Sequence, residues 1–291
     1  MNYSFPRKKP SPVPKIIVTP EYLAKGSLKK SYINTRLAFN VPWMGVVAMA
    51  FAKYPFFYNS LWQYMHPLTK SIEFDELCKK LVIISKKKAL ELKPKPLIKS
   101  LKKIGYNSYE IKKINEVNQI FTTGNMPYLI MATIARIFLG EGELLNTKSF
   151  KKNNRAIIKS DKNYLLLIEQ HHANKSLKKI NKSIKSNLGL PFLNTDYRAF
   201  ARWPSYFEMS WKSFLPALLS KKYEEKVLEI HNFIIKESLL LPNPNKIKSI
   251  QILNAAKKDK KLNEIKKVVY LFQWLLPGLI TNVAFMREQI K

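Results

Sequence analysis

Cysteine is almost missing from this 291-residue chain: Cys78 stands alone. That excludes an internal disulfide framework and any Cys-x-x-Cys redox or zinc motif. Glycine is scarce at 8 residues, and neither a Gly-rich phosphate loop nor a Gly-x-Ser-x-Gly nucleophile elbow is present. Alternating Val/Thr-rich stretches are equally rare, so nothing reads as a strand. The longest apolar runs also stop short of the ~20 residues a membrane span needs. Val41 to Ala52 ends at Lys53, and Val269 to Phe285 is interrupted by Gln273, Pro277 and Asn282. Metal ligation is not expected either, because His66, His171, His172 and His231 have no partner at ligand spacing.

What is present is Leu, Ile, Lys and Ala in segments with three- and four-residue apolar spacing, and 46% hydrophobic content. These features predict an all-α protein large enough to bury a substantial core. Basic residues outnumber acidic ones by 51 to 20, a formal charge of +31, which calls for an anionic partner. The excess is nearly all Lys, with only seven Arg. It lies in runs such as Lys86 to Lys88, Lys151 and Lys152, Lys178 and Lys179, and Lys257 to Lys261 around Asp259. Such runs read as solvated helix faces rather than as the clustered Arg and aromatics of a nucleic-acid reader.

The chain contains an internal duplication. Residues 41–67 align without a gap with residues 190–216, pairing Pro42 with Pro191, Ala50 with Ala199, Ala52 with Ala201, Pro55 with Pro204, Trp62 with Trp211 and Pro67 with Pro216. The interval is 191 − 42 = 149 throughout. A weaker match sets Pro127 against Pro277, an interval of 150. The expected organisation is a Pro-rich extended arm (1–19), a first helical repeat (20–145), a linker (146–159) and a second repeat (160–291). The two repeats should form one compact unit about a pseudo-twofold axis, with a central cleft. Helices are expected over Trp43 to Lys53, Phe56 to Met65 and Glu73 to Leu92. Breaks are expected at Pro67 and at Gly124-Asn125-Met126-Pro127.

The copies differ where the first reads Gly45-Val46-Val47 and the second Asn194-Thr195-Asp196. On a helix opening near Pro191, Asp196 shares a face with Ala199, Phe200 and Trp203, so its carboxylate is aimed at an apolar surface. Arg198 and Arg202 project elsewhere. A carboxylate desolvated without an ion pair has a raised pKa, which suits a general base; the bland alternative is a helix-capping Asp. Asn194 and Thr195 occupy a first helical turn whose free N–H groups can hold a small anion, and Trp43 to Val46 offer the same geometry in the other copy. Asn125 and Tyr128 form a further polar pair, with turn formation as the alternative for Asn125. Tyr270 and Trp43 read from the residues alone as core aromatics.

The duplicated helical unit, the segment Asn194-Thr195-Asp196 followed by Arg198-Ala199-Phe200-Ala201-Arg202-Trp203-Pro204, and the Asn125/Tyr128 pair together resemble the group I 2-haloacid dehalogenases, which are all-helical enzymes. The resemblance runs from about Pro42 to the C-terminus. It implies that Asp196 is the base activating water for direct displacement of halide at C2, with inversion and without a covalent ester, and that Asn125 helps hold this water. It further implies a substrate carboxylate on the amides near Val46 and Thr195, with Trp43, Tyr128 and Tyr270 lining the pocket. Asn194 stands where members accepting both enantiomers carry Ala, which implies D-preference. No cofactor and no metal are expected. The partners expected are a small anionic substrate and water, with no nucleic acid and no membrane, in a cytoplasmic homodimer. The rival from another class is a basic helical protein that binds nucleic acid or an acidic membrane surface. A third reading keeps the fold and Asp196 for another small carboxylate.

Overall fold

The computed structural model describes residues 5–153 and 165–291. Residues 154–159 of the expected linker, Tyr164 and the first four residues of the arm lie outside these. Among the described residues there are twelve α-helices and no strand; one isolated bridge pairs Ser71 with Lys152. The helices are α1 (Gly26–Phe39), α2 (Val46–Ala52), α3 (Pro55–Leu68), α4 (Ile72–Glu91), α5 (Ile98–Lys103), α6 (Ser108–Arg136), α7 (Lys175–Leu188), α8 (Thr195–Phe200), α9 (Pro204–Leu218), α10 (Lys221–Leu239), α11 (Ser249–Lys258) and α12 (Leu262–Glu288).

Local chemistry sets many of the starts and stops. Ser71 and Ser220 cap α4 and α10 by accepting from the N–H of Phe74 and of Tyr223, each at 3.1 Å. Asn107 and Glu110 form a reciprocal capping box at the head of α6. α1 ends on Asn40 at φ 55° and α7 on Gly189 at φ 61°, both in the left-handed conformation that closes a helix. Pro55 and Pro204 open α3 and α9, where a missing N–H costs nothing. The residues before them, Tyr54 (φ −113°, ψ 86°) and Trp203 (φ −117°, ψ 81°), share an unusual conformation.

Three expected boundaries are corrected. The helix expected from Trp43 starts at Val46, because the N–H groups of Met44 and Gly45 bond to the side chains of Glu21 and Tyr128 instead of entering a helix. Pro42 therefore lies outside the helix, and Pro191 likewise precedes α8. Pro67 is absorbed inside α3 and Pro127 inside α6, which runs unbroken through Gly124-Asn125-Met126-Pro127. A proline can persist in a helix interior when tertiary packing offsets the lost hydrogen bond, and Gly124, Asn125, Met126 and Pro127 are all buried.

α6 and α12 pack against each other more extensively than any other pair and form the centre of the core. α12 is long and apolar enough by composition to cross a membrane, yet its apolar residues from Val268 through Met286, Tyr270 and Trp274 apart, are buried inside the protein. α4 and α10 are joined by an ion-pair ring. Lys226 bonds Glu91 at 2.8 Å and Glu229 at 2.7 Å, while Lys88 bonds the same two carboxylates. Lys88 and Lys226 are therefore structural, in a ring that is neutral overall.

Candidate active site

α8 is a helix of six residues, and its sequence puts Asp196 in the first turn on the buried side. Asp196 is 2% exposed, as are its face-mates within a few per cent: Ala199 at 1%, Phe200 at 0% and Trp203 at 8%. The two arginines of the segment face away. Arg198 pairs with Glu169, and the Arg202 guanidinium lies 5.0 Å from the Trp203 ring centroid. No cation neutralises Asp196 among its described contacts. Burial therefore pushes its pKa from 3.8 up to about 6, against the opposing effect of hydrogen bonds from Asn125 and from its own backbone N–H.

The partner that holds the carboxylate comes from the other half of the chain. Asn125 Nδ2 on α6 donates to Asp196 Oδ1 at 2.6 Å, and Asn125 is itself 4% exposed. Residues 71 positions apart, each singled out from the sequence, thus meet in one buried pair. An amide that donates to one carboxylate oxygen fixes the plane of the other, and its own carbonyl oxygen can accept from a water beside the base.

Thr195 is the first residue of α8 and Asn194 its N-cap, each 7% exposed. The Asn194 side chain caps nothing: its Oδ1 is buried and accepts no hydrogen bond. Val46 begins α2, and Gly45 before it has φ −65° and ψ 143°, close to Asn194 at −65° and 153°. Two short helices therefore present equivalent first turns, in which the leading N–H groups have no partner within the helix.

Tyr128 is 1% exposed, and its hydroxyl is fully engaged. It donates to Trp43 O at 2.8 Å and accepts from Gly45 N at 2.7 Å. Its ring lies so close to Gly45 that a Cβ there would stand 2.6 Å from the ring. Tyr128 thus acts by holding the segment that leads into α2. Trp43 is 6% exposed, packs edge-on to Phe121 with centroids 4.9 Å apart and rests on Gly124.

Tyr270 is placed differently. The Arg136 guanidinium stacks on its ring at 4.5 Å, and Arg136 follows Asn125 by eleven residues on α6, roughly 16 Å along the axis at 1.5 Å per residue. The structure brings Asp196 and Asn125 together, and Trp43 with Tyr128, but sets Tyr270 in a separate cluster with Arg136 and Phe5.

Sequence reasoning missed two aromatics. Phe121 packs against both Trp43 and Phe200, which links α6 to the segments ahead of α2 and to α8. Its position four residues before Asn125, on the same helix face, was the available signal. Phe272 contacts Phe51 of α2 and Phe192 just ahead of α8. In an apolar helix nothing in the sequence marks it out. A surface cavity of about 850 Å³, lined by Asn34, Leu37, His66, Phe150 and Lys152 among others, includes none of the site residues. Among the described residues no group of three or more His, Cys, Asp or Glu could hold a metal ion.

No family model matches the chain. It is 36% identical over 249 residues to an (R)-2-haloacid dehalogenase of Rhizobium sp. (strain NHG3), covering 84% of this chain and 95% of that protein. It is 30% identical over 290 residues to an (R)-2-haloacid dehalogenase of Pseudomonas putida, covering 96% and 95%. Among solved structures, a D-2-haloacid dehalogenase in complex with L-LA superposes with a TM-score of 0.88 at 29% identity, over 98% of this chain and 99% of that one. A mutant of a D-2-haloacid dehalogenase in complex with D-2-CPA superposes at 0.86 with 28% identity and the same coverage.

Proposed function

We propose that this chain, which belongs to the (R)-2-haloacid dehalogenase family, hydrolyses short D-2-haloalkanoic acids to 2-hydroxyalkanoic acids with inversion at C2. The observation that carries the reading is the buried Asp196–Asn125 pair: a carboxylate with a pKa raised to about 6, held by an amide and facing no cation. Above that pH Asp196 is ionised and takes a proton from water. The water oxygen bonds to C2 as the carbon–halogen bond breaks and the halogen leaves with its electron pair as halide. Asp196 then returns the proton to solvent. The base sits in an apolar, largely dry site, which strengthens its interaction with the water it polarises.

The substrate carboxylate is assigned to the first-turn amides of α2 and α8, around Val46 and Thr195, where helix dipoles favour an anion. Trp43, Phe121 and Phe200 supply apolar surface beside the base, and Phe272 covers the α2 and α8 entrances. D-preference is assigned to Asn194. Its buried, unpartnered carbonyl oxygen on α8 adds bulk and a polar acceptor two residues before the base, and both penalise the enantiomer that would direct its substituent there. The D and L labels of the two ligands held by the structural neighbours fit the pairing that inversion produces.

The recurrence of backbone conformations at the 149-residue interval, at Asn40 and Gly189, Gly45 and Asn194, and Tyr54 and Trp203, supports the reading of two repeats about a pseudo-twofold axis. On this reading the active site is asymmetric because one copy evolved the base while its twin kept Val47. The test is halide release from separate D- and L-2-chloropropionate. Release is expected from the D-enantiomer alone and is expected to fall at least ~100-fold in Asp196→Asn, the scale of a lost general base. Halide from neither enantiomer removes the activity, equal rates remove the stereopreference, and an undiminished variant removes Asp196 as base.

A further inference from the structure

A small cleft separate from the Asp196–Asn125 pair lies beside Tyr197 of α8. It has a volume of about 70 Å³ and is walled by Arg7 of the N-terminal arm together with Asn187, Tyr197, Tyr223, Trp274 and Gly278. Leu188, Leu218, Leu275 and Leu279 give it apolar sides. A water-sized body needs roughly 10–15 Å³ of such volume, so the space admits a small guest and no large one.

The arm delivers positive charge to this space. The Arg7 side chain is only 8% exposed; its Nη1 bonds Glu224 at 2.5 Å, and Glu224 is 60% exposed on the outer side. The Arg7 guanidinium lies 5.1 Å from the Trp274 ring centroid, and Lys9 Nζ lies 5.2 Å from the same centroid. Two cations thus share one indole with a single, solvated carboxylate between them. Arg7 Nε is buried and donates to nothing, an unfavourable state for a charged donor. Three neighbouring side chains are engaged elsewhere: Tyr223 donates to Asn282 Oδ1 at 2.8 Å, Asn282 to Tyr197 Oη at 2.8 Å, and Asn187 to Ser183 O at 2.8 Å.

Gly278 keeps the space open. A Cβ there would stand 3.0 Å from Tyr223 Oη and 3.7 Å from Arg7 Nη2. An unpaired guanidinium N–H, a local charge excess of one and leucine walls select a small, weakly hydrated monovalent anion. Sulfate and phosphate would need more donors than are present.

We propose that this cavity is a halide site, separate from the Asp196 centre, in which Arg7 Nε donates to a chloride or bromide ion that fastens the N-terminal arm onto α12. The relevance of halide rests on the dehalogenase reading, since turnover would supply the ion. Binding itself needs no turnover, so the two readings can fail separately.

The experiment uses the full chain without substrate. Crystals grown in sodium bromide are measured at the bromine absorption edge, and halide affinity in solution is read from chloride NMR line broadening. An anomalous peak within hydrogen-bond distance of Arg7 Nε is expected. Affinity should drop at least ~10-fold in Arg7→Gln, as the loss of a charged hydrogen bond implies. Glu224→Gln should bind halide more tightly than the wild type, because a carboxylate that competes for Arg7 has been removed; a purely structural Arg7–Glu224 pair predicts no gain of that kind. Bromide found only elsewhere, a peak that persists in Arg7→Gln, or unchanged or weaker halide binding in Glu224→Gln would overturn the assignment.

Discussion

The proposed chemistry rests on one ionisation, that of Asp196. Its folded pKa of about 6 lies above the ordinary 3.8, so the folded state holds the proton more tightly than the unfolded chain. The stability this contributes is present at low pH and is lost as pH rises through that interval. The protein therefore carries a destabilised carboxylate at neutral pH, and Asp196→Asn should unfold at higher denaturant than the wild type at pH 7.5, by on the order of 2 kcal/mol. At pH 4 the difference should nearly vanish. On the proposed role of Asp196 as base, kcat/KM for the D-substrate should fall about tenfold per pH unit below pH 6, as the carboxylate becomes protonated. A flat acid limb down to pH 4.5 would show that a different group carries the proton.

At the scale of elements, the short helices α2 and α8 are too brief to hold themselves and depend on what grips their ends. α8 is gripped from both sides, by Asn125 of α6 through Asp196 and by Asn282 of α12 through Tyr197. α2 is set by Tyr128, whose hydroxyl bridges Trp43 O and Gly45 N, and by Trp43 seated on Gly124. A methyl group on Gly124 would stand 2.4 Å from Trp43 Cη2 and would push a rigid indole off its place. Gly124→Ala should therefore cost about 1–3 kcal/mol in urea unfolding despite the better helix propensity of Ala. It should also raise KM, since Trp43 precedes the amides assigned to the substrate carboxylate. A variant more stable than wild type would show that the indole can relocate without loss.

Over the whole molecule, the charge of +31 is what remains after every carboxylate is counted against a cation, and an anionic substrate meets an attractive field before it meets the site. kcat/KM for the D-2-haloacid should decline steadily with added sodium gluconate while kcat stays level, because screening acts on encounter and the buried chemistry is little affected. Salt-independent kcat/KM would assign the lysines to solubility and to local pairs such as the α4–α10 ring. The N-terminal arm belongs to this scale too. Phe5 is 3% exposed, lies under the Arg136 guanidinium at 4.0 Å and bonds His231 through its carbonyl, so this part of the arm is core.

The all-α class, the placement of Asp196 on a buried face and the turning away of Arg198 and Arg202 were all legible, because a 3.6-residue period and the comparison of two similar segments of one chain are local properties. The pairing of Asn125 with Asp196 could be suspected only from resemblance; a contact between residues 71 positions apart has no local signature. Helix starts at Val46 and Thr195 and the survival of Pro67 and Pro127 inside helices escaped the sequence reading for one reason. Each is settled by a partner from elsewhere, Glu21 and Tyr128 for the first and the packed core for the prolines, and tertiary contacts there outweigh backbone propensity. Tyr270 shows the same limit, since its register on α12 places it by Arg136 and leaves Phe272 to face α2 and the approach to α8. By itself the sequence determined which side chains are apolar, which carboxylate is aimed inward and where the two copies diverge; only the tertiary structure decided which of them meet, because burial and hydrogen-bond partners come from chain segments that sequence order keeps apart.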